Sequence, residues 1–552
     1  MNKITKELQF NPFSIKKIRP ISKQNRPAFL QVSITGYINK NFNRKRYDRY
    51  NLETYKYDIK NLGIRCTWEL INNYLLNFYN PKNEFLTINN LSKLYEYGLS
   101  IENKDNKKTQ GQYYTPNDVA YVMADLFKDL KGKNICDVAC GTGNLILTFL
   151  DLIGGKNTVD IIKNNRLYLY DSDDIALNIC KTILYLKFGK DLCKCINFIK
   201  CDFLSKSIVL PSNCKVICNP PYSITKQILG DWDKTEISIQ TKELYAMFIE
   251  KIIKQSESSV IISPYSFLAG RKFYSLRKLM NEYNGFIISF DNVPGSIFCG
   301  KKHGIFNTNT SNSVRASITV VENLDGRKGF RVSPLIRFKN IERKNLLKSE
   351  VLKSFLNDRY QIISNKQKIY IKCFKELEVI WNAWQNKGTQ SLKKFISNYG
   401  QNVLSIPNTC RYYTTAFNGI LNRRGQIILN FENEDVFYFV FCLINSSFAY
   451  WYWRLFDGGI TYPKGLLLNM PLFFESLTKY DKIFFKKTAL EMIEKASLFM
   501  VMKNNIGIQE NIKYPREYRD KINRKLLDIL GLNINERIFD IIHSNMALEV
   551  NV

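Results

Sequence analysis

Between residues 106 and 330 the chain alternates short apolar runs with stretches of helical period. Ile135–Val138, Leu167–Tyr170, Ile196–Ile199, Val216–Cys218, Val260–Ile262, Phe286–Phe290 and Ala316–Val321 read as strands, with helical segments between most of them. That alternation predicts an α/β domain built on a doubly wound, mostly parallel sheet. Residues 1–105 have no glycine-rich turn and read as a mixed, then mainly helical region, with helices over Cys66–Tyr79 and Leu91–Leu99. Residues 331–552 change character again. Long Lys-rich helical segments precede aromatic-rich strands and turns at Arg411–Phe417 and Arg424–Phe431, and a basic helical tail runs from Asn511 to Leu532. An α+β domain is expected there. The most apolar stretch, Val436 to Phe456, is interrupted by Asn445, Ser446, Ser447 and Arg454. A membrane span needs about 20 nearly uninterrupted apolar residues, so a buried helix is predicted and no membrane partner.

Charge changes the picture. The 552 residues include 80 Lys and Arg against 50 Asp and Glu, a net +30. A polyanionic partner, most simply nucleic acid, fits that excess, although an Asn-, Lys- and Ile-rich chain can also acquire lysines from the base composition of its gene. Residues 1–60 hold 14 basic and 4 acidic side chains, and Arg44-Lys45-Arg46-Tyr47-Asp48-Arg49-Tyr50 interleaves Arg with Tyr. Such a run suits phosphate contact with stacking, or a solvated loop. Thirteen cysteines show no C-x-x-C spacing, and His303 and His543 are the only histidines. No metal site is therefore expected. Free thiols in this number fit a reducing cytoplasm, and MNKITKELQF lacks the apolar core of a secretory signal.

The candidate chemistry sits at the predicted strand ends. Asn219-Pro220-Pro221-Tyr222 follows the run Val216–Cys218. Two prolines lack N–H groups and fix φ near −65°, so they end the strand in a rigid turn. An Asn oxygen and a backbone carbonyl aimed at one point can accept both hydrogens of an –NH2 group, with Tyr222 offering a flat face beside it. Asp137-Val138-Ala139-Cys140-Gly141-Thr142-Gly143-Asn144-Leu145 ends the first strand and opens a helix. Its two glycines permit a tight turn and close ligand approach. It lacks the third glycine of the dinucleotide fingerprint and the Lys-Ser/Thr of a phosphate loop. An acidic residue leading into G-x-G fits a cationic, non-phosphorylated ligand better. Asp171 ends the second strand, where a carboxylate can accept both hydroxyls of a ribose. Asp202-Phe203 follows the third, suited to the amine and ring of an adenine. Ligands of doubly wound sheets bind beyond these carboxyl ends.

In these residues the chain resembles the γ-class N6-adenine DNA methyltransferases. Asp137–Leu145 looks like their S-adenosylmethionine loop, Asn219–Tyr222 like their catalytic motif, and Gly111-Gln112-Tyr113-Tyr114-Thr115-Pro116 like the element that precedes the loop in the γ order. Type I modification subunits and single-chain enzymes with a fused target-recognition domain carry this order. The resemblance covers about residues 106–330. It implies a class I S-adenosylmethionine-dependent methyltransferase fold for 106–330 and a target-recognition domain with a helical tail in 331–552. It implies S-adenosylmethionine as cofactor, held by Tyr114, Thr115, Pro116, Asp137, Ala139, Cys140, Gly141, Gly143, Asn144, Leu145, Asp171, Ser172, Asp202, Phe203 and Asn219. It implies catalysis by Asn219, Pro220, Pro221 and Tyr222 on an adenine flipped out of double-stranded DNA, with Tyr222 and Phe298 facing the base. Tyr412, Tyr413, Arg423, Arg424, Tyr462 and Lys464 are the kind of residues that contact bases and phosphates. The same four-residue motif occurs in protein-glutamine and RNA-base methyltransferases, which stay open as alternatives, as does a recognition subunit of a restriction-modification or phage-defence system. Glu102-Asn103-Lys104 lies in a polar run and reads as linker, so no cleavage activity is expected. A cytoplasmic monomer is the simplest expectation, with a restriction or specificity partner left open.

Overall fold

The computed structural model describes residues 115–552, apart from 226–230, 299–313, 324–325, 549–552 and the single positions 411, 458, 460 and 506. The expected N-terminal region, the Arg/Tyr run and Gly111–Tyr114 lie outside the described residues. The chain divides into two compact units, one reaching Phe330 and including Leu347–Val351, the other comprising Arg331–Leu346 and Leu352–Val552.

The first unit is built on strands β1 (Asn134–Asp137), β2 (Leu167–Asp171), β3 (Asn197–Lys200), β4 (Cys214–Cys218), β5 (Ser258–Pro264), β6 (Asn284–Phe290) and β7 (Ala316–Val321). They lie in the order β3-β2-β1-β4-β5-β7-β6. The first five are parallel, and β7 runs antiparallel to both β5 and β6. This is the predicted mostly parallel, doubly wound sheet. Because β1 has β2 on one side and β4 on the other, the strand order reverses at β1, and that is where such sheets open a crevice. Cys136 pairs with Tyr168 of β2 and Val216 of β4. The residues following β1 and β4 therefore emerge side by side, about 4.8 Å apart across the ladder.

Helix α1 (Asn117–Lys128) presents Val119, Val122, Met123, Leu126 and Phe127 to the core. Helix α2 (Asn144–Ile153) buries Leu145, Ile146, Phe149 and Leu150. Phe127 and Phe149 meet edge to face at 5.0 Å. Strand β4 starts two residues earlier than its apolar run and includes Lys215, which is 5% exposed. Its ammonium donates to the carbonyls of Phe127 (3.0 Å) and Lys128 (2.8 Å). A cation there satisfies the open carbonyls at the end of α1 and meets the negative end of its dipole. Burial still pushes the lysine down to about 8.

In the second unit a three-stranded antiparallel sheet places β8 (Asn402–Pro407) between the two-residue strand β9 (Phe417–Asn418) and β10 (Gln426–Phe431). Of the strands and turns expected over Arg411–Phe417, only Phe417 is paired in a strand among the described residues, and Thr414 and Ala416 are buried. The long Lys-rich helices expected after residue 331 are short ones, Arg343–Leu346, Ser349–Ser354 and Glu378–Lys387. The single buried helix expected over Val436–Phe456 is two helices, α3 (Glu434–Ile444) and α4 (Ser447–Phe456). Asn445 and Ser446 break it. Asn445 Nδ2 donates to the Phe441 carbonyl (3.0 Å), and Ser446 Oγ accepts from the Phe448 N–H (3.1 Å), restarting the helix as its N-cap. Helix α5 (Arg516–Ile529) makes up the centre of the predicted basic tail. Among the described residues no helix is long and apolar enough to cross a membrane.

Candidate active site

The loop after β1 is folded by its two glycines. Gly141 and Gly143 both adopt left-handed backbone, with φ of +53° and +91°. A Cβ on Gly143 would meet Cys180 Sγ at 2.5 Å, so helix packing demands glycine there. A Cβ on Gly141 would meet nothing within 4 Å, so that face of the loop is open. The Cys140 N–H donates to the Tyr170 carbonyl (3.0 Å) and the Gly141 N–H to Asp171 Oδ2 (2.7 Å), which stitch the loop to the end of β2. Asp137 is fully buried. Its Oδ1 accepts only a long bond from the Ala139 N–H (3.3 Å), and Oδ2 has no hydrogen-bond partner among the described residues. Burial pushes this carboxyl up to about 8, opposed by the Ala139 N–H and reinforced by the charge of Asp171. A buried carboxyl with an idle oxygen, beside an open glycine, fits a positively charged ligand such as S-adenosylmethionine.

Asp171 is spoken for on both oxygens, by Gly141 N–H and by Asp173 N–H (2.8 Å). Burial raises its carboxyl, and the amides of Asp173 and Gly141 oppose that. Each oxygen keeps a further lone pair for a hydroxyl. Ser172, next in the chain, is exposed. Asp202 accepts from the Leu204 N–H at Oδ1 (3.0 Å) and from the Trp232 indole at Oδ2 (2.8 Å). Phe203 is buried, tilted against Phe248 at 5.1 Å, with Lys251 Nζ 5.1 Å from its ring centroid. Its ring packs the core in this structure. Leu145 is likewise a core residue of α2.

Asn219 leaves the end of β4 and meets the segment before α1. Its Nδ2 donates to Thr115 Oγ1 at 2.9 Å. The Thr115 carbonyl in turn accepts from Asn144 Nδ2 at 2.8 Å. One buried threonine thus ties the proposed catalytic amide to the start of the loop helix, and Pro116 caps the helix that follows. Pro220 is buried, while Pro221 and Tyr222 are half-buried. The Tyr222 hydroxyl donates to the Ile262 carbonyl on β5 (3.2 Å). Its ring lies edge to face with Tyr245 (6.4 Å, 77°) and Phe298 (5.9 Å, 67°). A planar base between two rings needs about 7 Å, twice a contact of about 3.5 Å. As it stands, Phe298 packs against the edge of Tyr222 rather than forming the far side of a sandwich.

Residues 87–303 match the N-6 DNA Methylase family. The Type II methyltransferase M.VspI of Vibrio sp. is 31% identical over 197 residues, which cover 34% of this chain and 44% of that protein. The Type I restriction enzyme MjaIX methylase subunit of Methanocaldococcus jannaschii is 26% identical over 147 residues, covering 26% of this chain and 24% of the relative. The chain spans less than half the length of these curated relatives. Among solved structures, the type I restriction-modification methyltransferase subunit of Streptococcus thermophilus aligns over 63% of this chain and 78% of its own, at 16% identity and a TM-score of 0.39. The DrdV–DNA complex aligns over 86% of this chain and 67% of its own, at 12% identity and a TM-score of 0.46.

The matched segment contains the whole described cluster from Thr115 to Phe298; Tyr114 lies outside the described residues. Two aromatic residues in it escape sequence reasoning. Tyr245 touches Tyr222, and Trp232 holds Asp202. Neither falls in a motif, and Trp232 sits in a polar stretch, Gly230-Asp231-Trp232-Asp233-Lys234, whose lone large aromatic was the available signal. Among the described residues no group of three or more His, Cys, Asp or Glu side chains could hold a metal ion. The C-terminal candidates divide. Tyr462 is buried, stacked on Trp453 at 6.0 Å. Arg423 is turned onto the Gly425 carbonyl (3.0 Å) and Asn511. Tyr412, Arg424 and Lys464 are exposed, and Tyr413 is half-buried.

Proposed function

We propose that this chain binds S-adenosylmethionine in the crevice beyond β1, β2 and β3 and methylates the N6 amine of an adenine flipped out of double-stranded DNA. The observation that carries the reading is the fixed amide of Asn219. Its Nδ2 is committed to Thr115 Oγ1. The opposite atom, Oδ1, is the acceptor of that amide, at the end of β4 that emerges beside the end of β1 carrying the Asp137 loop. When bound, S-adenosylmethionine supplies an electrophilic methyl carbon and a sulfur that takes the electron pair of the broken S–C bond. Asn219 Oδ1 and the Pro220 carbonyl accept the two N–H bonds of the amine, turning its lone pair out of the ring π-system and toward the methyl. Tyr222 holds the base by its ring while its hydroxyl anchors to β5. Asn219 Oδ1 then holds the proton that the alkylated nitrogen gives up to water. Dipoles placed in advance act where charge develops, without reorganisation. Asp137 balances the cationic ligand, the loop amides from Ala139 to Asn144 line it, and Asp171 and Asp202 serve as acceptors for its ribose and purine.

The DNA substrate is supported by the matched N-6 DNA Methylase family, by the +30 charge and by relatives named as a type II methyltransferase and a type I restriction enzyme methylase subunit. Residues 331–552 are assigned to target recognition, with Tyr412, Tyr413, Arg424 and Lys464 as the candidates for contacting DNA. The decisive assay is transfer of labelled methyl from S-adenosylmethionine to duplex DNA by the purified chain, with the product nucleosides resolved. N6-methyladenine is expected. Asn219→Ala is expected to cut transfer by a factor of about a hundred or more, with cofactor binding retained. Labelling of protein or RNA but not DNA would overturn the reading. Transfer by the purified chain alone would also establish that no specificity subunit is needed.

A further inference from the structure

We propose that Trp232 is a positioning residue for purine selection, setting Asp202 to accept a 6-amino and refuse a 6-oxo group. The inference rests on the reading of Asp202 as the purine acceptor. A carboxylate free to turn about its last bond offers either oxygen at many angles. Here Oδ1 is held by the Leu204 N–H at 3.0 Å and Oδ2 by the Trp232 indole at 2.8 Å, so the plane of the group is set from two directions. Each oxygen keeps one lone pair, and the group presents only acceptors to a third partner. Trp232 is 7% exposed, which shields its bond to Asp202 from water and strengthens it.

The backbone brings the indole there. Ser205 and Trp232 form an antiparallel bridge, and the Lys206 N–H donates to the Asp231 carbonyl at 2.8 Å. The chain that reaches Trp232 has just left the proposed catalytic motif. It is pinned where it leaves, the Ser223 carbonyl accepting from the Leu244 N–H (3.0 Å) and the Thr225 N–H donating to the Lys242 carbonyl (2.9 Å). Ser223 and Thr225 are thus held at the turn after β4, and Asp231 and Trp232 at the end of β3.

The test measures binding of S-adenosylhomocysteine and of its inosine analogue, which carries oxygen in place of the 6-amine, to the full chain by calorimetry. The wild type is expected to prefer the adenosine compound. Trp232→Phe removes the N–H and keeps a ring; it is expected to weaken the adenosine compound by about tenfold and the inosine compound by less than about twofold. In Asp202→Asn one of the two donors, the Leu204 N–H or the Trp232 indole, meets an –NH2 instead of an acceptor, so the group no longer offers acceptors alone and the preference for adenosine is expected to be lost. Equal weakening of both compounds by Trp232→Phe would mark a purely structural residue and overturn the proposal. So would no weakening, or an Asp202→Asn variant that still prefers adenosine. If Asp202→Asn abolishes the preference while Trp232→Phe leaves it alone, the proposal falls and the Asp202 reading stands. If the wild type binds neither compound, the cofactor reading fails and the proposal fails with it.

Discussion

Asp137 shows how a single residue can make binding depend on pH. In the ligand-free chain its carboxyl is pushed up to about 8, because it is fully buried with one weak donor. Below that pH the free site holds a proton, and pairing with a ligand ammonium requires the carboxylate. Binding then releases the proton, so affinity rises with pH up to about 8 and flattens above. S-adenosylhomocysteine, which carries an ammonium, is expected to bind about tenfold tighter at pH 8 than at pH 6.5. 5′-Methylthioadenosine, which lacks the ammonium, should show no such slope, and Asp137→Asn should flatten it. Calorimetry in buffers of different ionisation enthalpy reads the proton directly. Uptake of a proton, or a flat profile in the wild type, would contradict this account. Thr115 works differently: it carries no charge, yet through two hydrogen bonds it orients Asn219 and reaches Asn144.

The same logic at the level of an element explains why Glu434 to Phe456 is not one helix. Apolar side chains cover nearly every face of both α3 and α4, so hydrophobic burial alone would tolerate a continuous rod. Asn445 decides against it. Besides its bond to Phe441, its Oδ1 accepts from the Ala416 N–H (2.9 Å) and its Nδ2 donates to the Ala416 carbonyl (3.2 Å). It thereby satisfies both backbone groups of a buried residue just before β9. Asn445→Ala leaves that N–H buried without its partner, which costs about 2 kcal/mol. Urea denaturation followed by tryptophan emission should report a loss of about that size. Stability equal to wild type would mean that the break does not depend on this side chain.

At the scale of the second unit, His543 draws distant parts of the chain together. Its Nδ1 bonds the Tyr412 carbonyl (3.0 Å), its Nε2 lies 2.9 Å from Ser447 Oγ, and its ring stacks on Tyr450 at 5.1 Å. Ser447 Oγ also accepts from Asn523 Nδ2 on α5 (2.9 Å). The Tyr412 carbonyl can only accept, so Nδ1 carries a proton, while Ser447 Oγ, with one donor and two lone pairs, can meet Nε2 in either role. Burial, followed by the nearby Arg519, pushes its pKa down to about 3. The unfolded chain therefore takes up a proton near pH 6.5 that the folded one refuses. Stability is complete above that value and is lost as pH falls from 6.5 toward 3. Between pH 7.5 and 5.5 the wild type is expected to lose about 1 kcal/mol that a His543→Asn variant does not lose. The urea transition reported by Trp381, Trp384, Trp451 and Trp453 checks this, and an equal acid response in both proteins would refute it.

Sequence alone determined seven strands of the sheet, the glycine loop and the proline turn that carries Asn219 and Tyr222. Strand periodicity, turn chemistry and fixed-φ residues act over a few positions and leave local marks. The same marks began β4 at Val216 and left out Lys215, whose ammonium meets two open carbonyls of α1, and ran one helix through Asn445, whose bonds reach a residue 29 positions away. Tertiary structure decided which atom of Asn219 is bound by Thr115, that Phe203 faces the core, and that Trp232 rather than a motif residue holds Asp202. Those facts depend on hydrogen bonds across 104 and 30 residues and on which ring faces are covered. No local pattern encodes them, because the partners become neighbours only once the sheet has assembled.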